Sequence, residues 1–260
     1  MSGPRTRRVA AVFLLAGILP VACTSAPRDE AGGTPSREAT TSEPSPQASQ
    51  SPTSTEVDDA PRRFVGRIAG LPGPLRDRMN GTTWRPGCPV PLSDLRLLHL
   101  DYWGFDGMPR RGPMVVHEDV AADVLWVFRR LFRARFPIKH LALTREFVPE
   151  EFEPRISSPR SVTASFNCRP VITPLGPGED FSQHSYGLAI DINPVQNPYV
   201  TADGFVRNRM SRRYLDRSRR LPGMVHDGDV VVRSFTAIGW SWGGLWSGGK
   251  DYMHFSRLGG

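Results

Sequence analysis

Several architectures are excluded by what this chain does not contain. No segment repeats at a fixed period and no glycine-rich phosphate loop is present, which removes repeat arrays and phosphate-loop nucleotide enzymes. The apolar run 9–22 is shorter than the ~20 residues a helix needs to cross a bilayer. His117-Glu118 begins like an HExxH zinc helix, but position 121 is Ala, so the second histidine is missing and His117 is not expected to bind metal. Residues 24–61 have no aromatic and no large aliphatic side chain except Val57. Such a segment cannot bury enough apolar surface to offset its chain entropy, so a disordered Ser/Thr/Pro-rich tether is expected there. Cysteine is scarce, with three residues: Cys23, Cys88 and Cys168.

What is present first concerns the compartment. Arg5, Arg7 and Arg8 ahead of the run 9–22 have the form of a secretory signal. Val21-Ala22-Cys23 closes that run and resembles the lipobox of bacterial lipoproteins, although Pro20 stands where such signals usually carry Leu. Two outcomes stay open: a lipid on Cys23 anchoring the protein to the membrane, facing the cell wall, or an ordinary signal cut nearby and a secreted protein. In an oxidising compartment Cys88 and Cys168 remain as an even pair, 80 residues apart. They form either a disulfide or two buried thiols.

Residues 62–260 suit one domain with a sizeable core, and a monomer is expected. The signal carries three arginines and the tether seven acidic against two basic residues, so of the overall +7 the part 62–260 carries +9. This balance suits anionic wall polymers or lipid head groups as partners, or is simply a soluble basic surface; export argues against nucleic acid.

Hydrophobic periodicity is legible in a few places. From Glu118 and Asp119 onward, Val120, Val124, Val127, Phe128, Leu131 and Phe132 recur at helical spacing, with Pro137 beyond the end. Leu188, Ile190 and Ile192 alternate with Ala189, Asp191 and Asn193, the period of a strand with one apolar face and Asp191 on the other. Residues 140–143, 230–235 and 252–255 also read as short strands between Gly- and Pro-rich turns, and 170–181 and 207–229 read as loops. The expected fold is α+β, a small, mainly antiparallel sheet with flanking helices. Trp240, Trp242 and Trp246 with their glycines are expected in the core and its turns, with one indole available to a cleft.

The segment Ser182-Gln183-His184-Ser185-Tyr186-Gly187-Leu188-Ala189-Ile190-Asp191, followed by Asp251-Tyr252-Met253-His254, carries the chemistry. Two imidazoles and two carboxylates so placed can supply three ligands to a catalytic zinc and one carboxylate to manage the proton of its water.

SxHxxGxAxD followed by DxxH resembles the D-alanyl-D-alanine carboxypeptidase family of zinc peptidases, which includes VanY-like enzymes and L-alanyl-D-glutamate endopeptidases. Gly87-Cys88-Pro89-Val90, Phe166-Asn167-Cys168-Arg169-Pro170, Asn193-Pro194-Val195-Gln196-Asn197-Pro198-Tyr199 and Gly239-Trp240-Ser241-Trp242-Gly243-Gly244 extend the likeness. The resemblance implies a Hedgehog/DD-peptidase-like domain with one zinc ion, held by His184, Asp191 and His254. It implies Asp251 as the catalytic carboxylate, Arg169 beside the substrate carbonyl as both catalytic and substrate-binding, and Ser182 as substrate-binding. The implied substrate is a peptidoglycan stem peptide, cut as a D-alanyl-D-alanine carboxypeptidase or as an L-alanyl-D-glutamate endopeptidase. A wall-binding protein of the same fold without turnover is the further alternative.

Overall fold

The structure is a computed structural model that describes residues 63–144, 161–173 and 176–259. The expected signal with Cys23 and the tether 24–61 lie outside the described residues. The elements run β1 (Gly66–Gly70), α1 (Gly73–Met79), β2 (Leu95–Trp103), β3 (Pro109–His117), α2 (Ala121–Arg133), β4 (His140–Leu141), β5 (Val162–Thr163), β6 (Pro170–Thr173), β7 (Gly176–Phe181), β8 (Ala189–Asp191), β9 (Tyr199–Val200), α3 (Val230–Ala237), β10 (Ser241–Trp242), β11 (Lys250–Asp251) and β12 (His254–Ser256). Helix and strand are mixed, as the α+β expectation requires.

The expectation of one sheet is corrected. Strands β1, β2 and β3 form one antiparallel sheet, and β10, β12 and β8 form a second in that order. Two-stranded pairs β11–β9 and β6–β7 are antiparallel, whereas β4–β5 is parallel. Strands of two or three residues cannot extend a ladder, so several small sheets share the core in place of one larger one.

That core is built on α2, whose Val124, Val127, Phe128 and Leu131 lie at helical spacing and are buried. They pack with Leu98, Leu100, Met114 and Val116 of the first sheet and with Ile190, Ile192 and Phe255 around the second. Both sheets therefore rest on one apolar mass. Phe235 stacks on Phe255 with ring centroids 4.2 Å apart, and both are fully buried. Such a pair adds about 0.5–1.5 kcal/mol beyond its area burial.

Residues 230–235, expected as a strand, form α3. The β-branched run Val230-Val231-Val232 favours a strand locally. Asp229 overrides it: its Oδ1 accepts from Val231 N at 2.8 Å and Val232 N at 2.9 Å, satisfying two amides that a helix start leaves unpaired. Val231, Val232 and Phe235 then meet the core on one helical face. Within 140–143 only His140 and Leu141 pair as a strand, and 252–255 is split, with Tyr252 and Met253 forming the turn between β11 and β12. Within 170–181, expected as a loop, Pro170–Thr173 and Gly176–Phe181 pair as the antiparallel strands β6 and β7.

Cys88 and Cys168 are joined in a disulfide, which resolves the alternative of two thiols. It lies in a second apolar cluster with Leu75, Met79, Val90 and Phe166, tying α1 and its following loop to residues ahead of β6. Replacing both cysteines by serine is expected to cost about 2–5 kcal/mol of unfolding free energy, because a closed loop of this length strongly restricts the unfolded chain. Urea titration of the oxidised and double-serine proteins measures the difference.

Candidate active site

Asp191 ends β8 and His254 begins β12, and the register of that antiparallel pair sets Asp191 opposite His254. Directly opposed residues in such a pair project from the same face, so strand pairing alone brings the carboxylate to the imidazole. On the other face the neighbouring pair Ile190 and Phe255 is fully buried in the core. Asp191 is also held from its other side by an isolated bridge to Ala164, with N–H to carbonyl distances of 2.9 and 3.2 Å.

His184 comes from the short 3-10 turn Gln183–Tyr186 that precedes β8. Ser182 caps this turn, its Oγ accepting from His184 N, and Gly187 ends it at φ 68°. A side chain at 187 would be strained by that φ, and a Cβ would sit 2.5 Å from His117 N. The His184 ring is oriented by its Nδ1–H, which donates to Ser165 O at 2.8 Å. With the proton on Nδ1, Nε2 carries the free lone pair and faces Asp191.

His184 Nε2 lies 3.3 Å and His254 Nδ1 3.2 Å from the same atom, Asp191 Oδ1. All three candidate donor atoms fall within 4.8 Å of one another. Charge-assisted pairs are usually about 2.7–2.9 Å long, so these contacts are long for hydrogen bonds. A tetrahedral zinc with bonds of about 2.0–2.1 Å holds its ligand atoms about 3.3–3.4 Å apart, close to the two nitrogen–oxygen distances of 3.3 and 3.2 Å. Two nitrogens and one carboxylate oxygen, with no sulfur, form a donor set that fits a catalytic zinc ion.

Residues 176–257 match a family model described as D-alanyl-D-alanine carboxypeptidase. The matched stretch holds His184, Asp191, Asp251 and His254 and covers about a third of the chain, so this part of the chain is similar to that peptidase family. No match is found among curated proteins or among solved structures.

The remaining sequence candidates lie around the three donors. Asp251 sits on β11 opposite Tyr199 of β9. Its backbone is approached closely by Gly243, where a Cβ would lie 2.5 Å from Asp251 O. Among the described residues, Asp251 Oδ1 is one of two buried side-chain atoms without a hydrogen-bond partner. Burial, followed by repulsion from Asp191, pushes the Asp251 pKa up to about 7, while the His254 and Arg169 charges pull the other way. Asp191 responds differently: burial raises its pKa, but the two imidazoles beside its Oδ1 outweigh that and hold it below the carboxylate range.

Arg169 follows the bridged Cys168, and its main chain is fixed by Ser185, whose Oγ accepts from Arg169 N at 2.8 Å and donates to Arg169 O at 2.7 Å. Its Nη1 donates to Pro170 O at 3.2 Å. Ser182 is buried; its hydroxyl accepts the cap bond from His184 N, and its own N–H donates to Arg169 O at 3.0 Å.

One contributor escaped sequence reasoning, and the indole expected to be available to a cleft is that of Trp246. Ser165 orients His184 through its main-chain carbonyl and no side-chain motif signals that. Trp246 is part-buried rather than core, with its ring 5.6 Å from that of His254, whereas Trp240 and Trp242 are buried as expected. His117 does not join the site; its Nδ1 accepts from Asp119 N.

Asp191→Asn and His254→Ala are each expected to weaken zinc binding by more than the ~10–100-fold typical of losing a supporting contact to a ligand. Competition against a chromophoric chelator reads the affinity, and far-UV circular dichroism is expected to stay unchanged.

Proposed function

We propose that this protein is a zinc-dependent hydrolase of peptide bonds in bacterial peptidoglycan stem peptides, acting as a D-alanyl-D-alanine carboxypeptidase on a Hedgehog/DD-peptidase-like domain. One observation carries the reading: two imidazole nitrogens meet one oxygen of Asp191 at tetrahedral-edge spacing. The family match supports the substrate class. His184, Asp191 and His254 would hold one zinc ion, which supplies Lewis acidity and lowers the pKa of a coordinated water to about 7.

The chain's own groups do the rest. Asp251 Oδ1, buried and without a partner, accepts the proton of the attacking water and returns it to the departing amine. The Arg169 guanidinium donates to the scissile carbonyl oxygen as negative charge builds on it, an effect worth about 3–4 kcal/mol for a well-placed donor. Ser182 keeps the His184 turn in place and presents its hydroxyl proton to the bound peptide. Export, anchoring through a lipid on Cys23 and action as a monomer at the cell wall complete the proposal.

Zinc-loaded protein incubated with pentapeptide muropeptides is expected to release a single terminal alanine, read by mass spectrometry. Cleavage between L-alanine and D-glutamate instead would make it an endopeptidase, and absence of any cleavage would overturn both activities. Asp251→Ala is expected to keep its zinc and lose about 100- to 10,000-fold in turnover. Unchanged turnover would remove Asp251 from the mechanism.

A further inference from the structure

Residues 205–220 carry seven arginines and one aspartate, a net +6 out of the +9 on 62–260. Two-thirds of the domain's excess charge thus sits on sixteen consecutive residues. The segment is not a loose basic tail. Its 3-10 helix Arg209–Tyr214 buries Ser211 and Tyr214 against the body of the domain, and Val206 is buried as well. Arg217 staples it down: Nη1 donates to Gln196 O at 3.0 Å and Tyr214 O at 3.2 Å, Nη2 donates to Val225 O, and the guanidinium lies 4.3 Å from the centroid of the Tyr252 ring. The nearby acids are few: Asp203 and Asp216 are exposed but hydrogen-bonded within their own turns, Asp203 accepting from Thr201 and Asp216 from Ser218 N and Oγ, and Asp229 caps α3.

With the anchors facing inward, Arg209, Arg212, Arg213, Arg219 and Arg220 are exposed. Interleaved with them are three large apolar side chains that the core does not cover: Phe205 at 56 %, Met210 at 53 % and Leu215 at 36 % exposure. A soluble polyanion would need only the arginines. Arginines mixed with exposed Phe, Met and Leu on a rigid segment match an interface that is anionic at its surface and apolar just beneath it.

We infer that residues 205–220 form a docking surface for an anionic phospholipid membrane, with the arginines on lipid phosphates and Phe205, Met210 and Leu215 at the acyl boundary. This surface is independent of the reaction proposed above. It adjoins the site, because Arg217 packs on Tyr252, the residue after Asp251.

The test is sedimentation of the full chain with vesicles of phosphatidylcholine alone or mixed two to one with phosphatidylglycerol. An N-terminal anchor contributes to both, so the preference for the anionic vesicles is the reading. Arg209→Gln/Arg212→Gln/Arg213→Gln is expected to lower that preference on the order of 100-fold. The charge-matched control Arg129→Gln/Arg130→Gln/Arg133→Gln, on exposed positions of α2, is expected to stay within about threefold. Phe205→Ser/Met210→Ser/Leu215→Ser is expected to lose about tenfold on anionic vesicles while binding soluble poly(glycerol phosphate) unchanged. Equal losses for both arginine triples would reduce the effect to net charge and overturn the proposal. Full vesicle binding by the apolar triple, with soluble poly(glycerol phosphate) competing it off, would also overturn it, in favour of a wall polymer.

Discussion

The pairing of β8 with β12 is the constraint on which the site depends. One register choice sets Asp191 against His254 on one face and Ile190 against Phe255 on the other. Slipping the pair by a single residue would turn the carboxylate into the core and an isoleucine toward the imidazoles. The apolar face forbids that slip, since Ile190 and Phe255 are both fully buried among α2 and α3 side chains. Chemistry on one face is thus specified by packing on the other.

The third donor is held by different means. His184 has no strand to place it, so a capped turn, a glycine in the left-handed region and a single carbonyl hydrogen bond take over. Ser165 and Ala164, which supply that carbonyl and the bridge to Asp191, directly precede the stretch that reaches Cys168 and Arg169. A short segment therefore orients one ligand, braces another and leads into the guanidinium, and the disulfide fixes its far end.

Side-chain chemistry was far more legible in the sequence than backbone pairing. His184, Asp191 and His254 stand in a pattern whose spacing already suits a metal, and the structure brings them together. The helix α2 was readable because thirteen residues give its apolar stripe several turns. Strands of two residues give no period to read, so the several small sheets were not foreseen. The run 230–235 misled because three valines favour a strand, and only the contacts of Asp229 and the burial of Phe235 reveal the helix. Ser165 acts through its main chain, and Trp246 differs from its two neighbours only in what surrounds it; neither fact is carried by residue type.

The cage around Asp191 is assembled by strand pairing, a β-bridge and buried aromatic rings, all of which are satisfied by protein atoms alone. Small zinc-finger modules collapse when stripped because the ion is most of their core. Here protein contacts hold the scaffold, so under the proposed function cation supply would act as a throttle on turnover rather than as a chaperone.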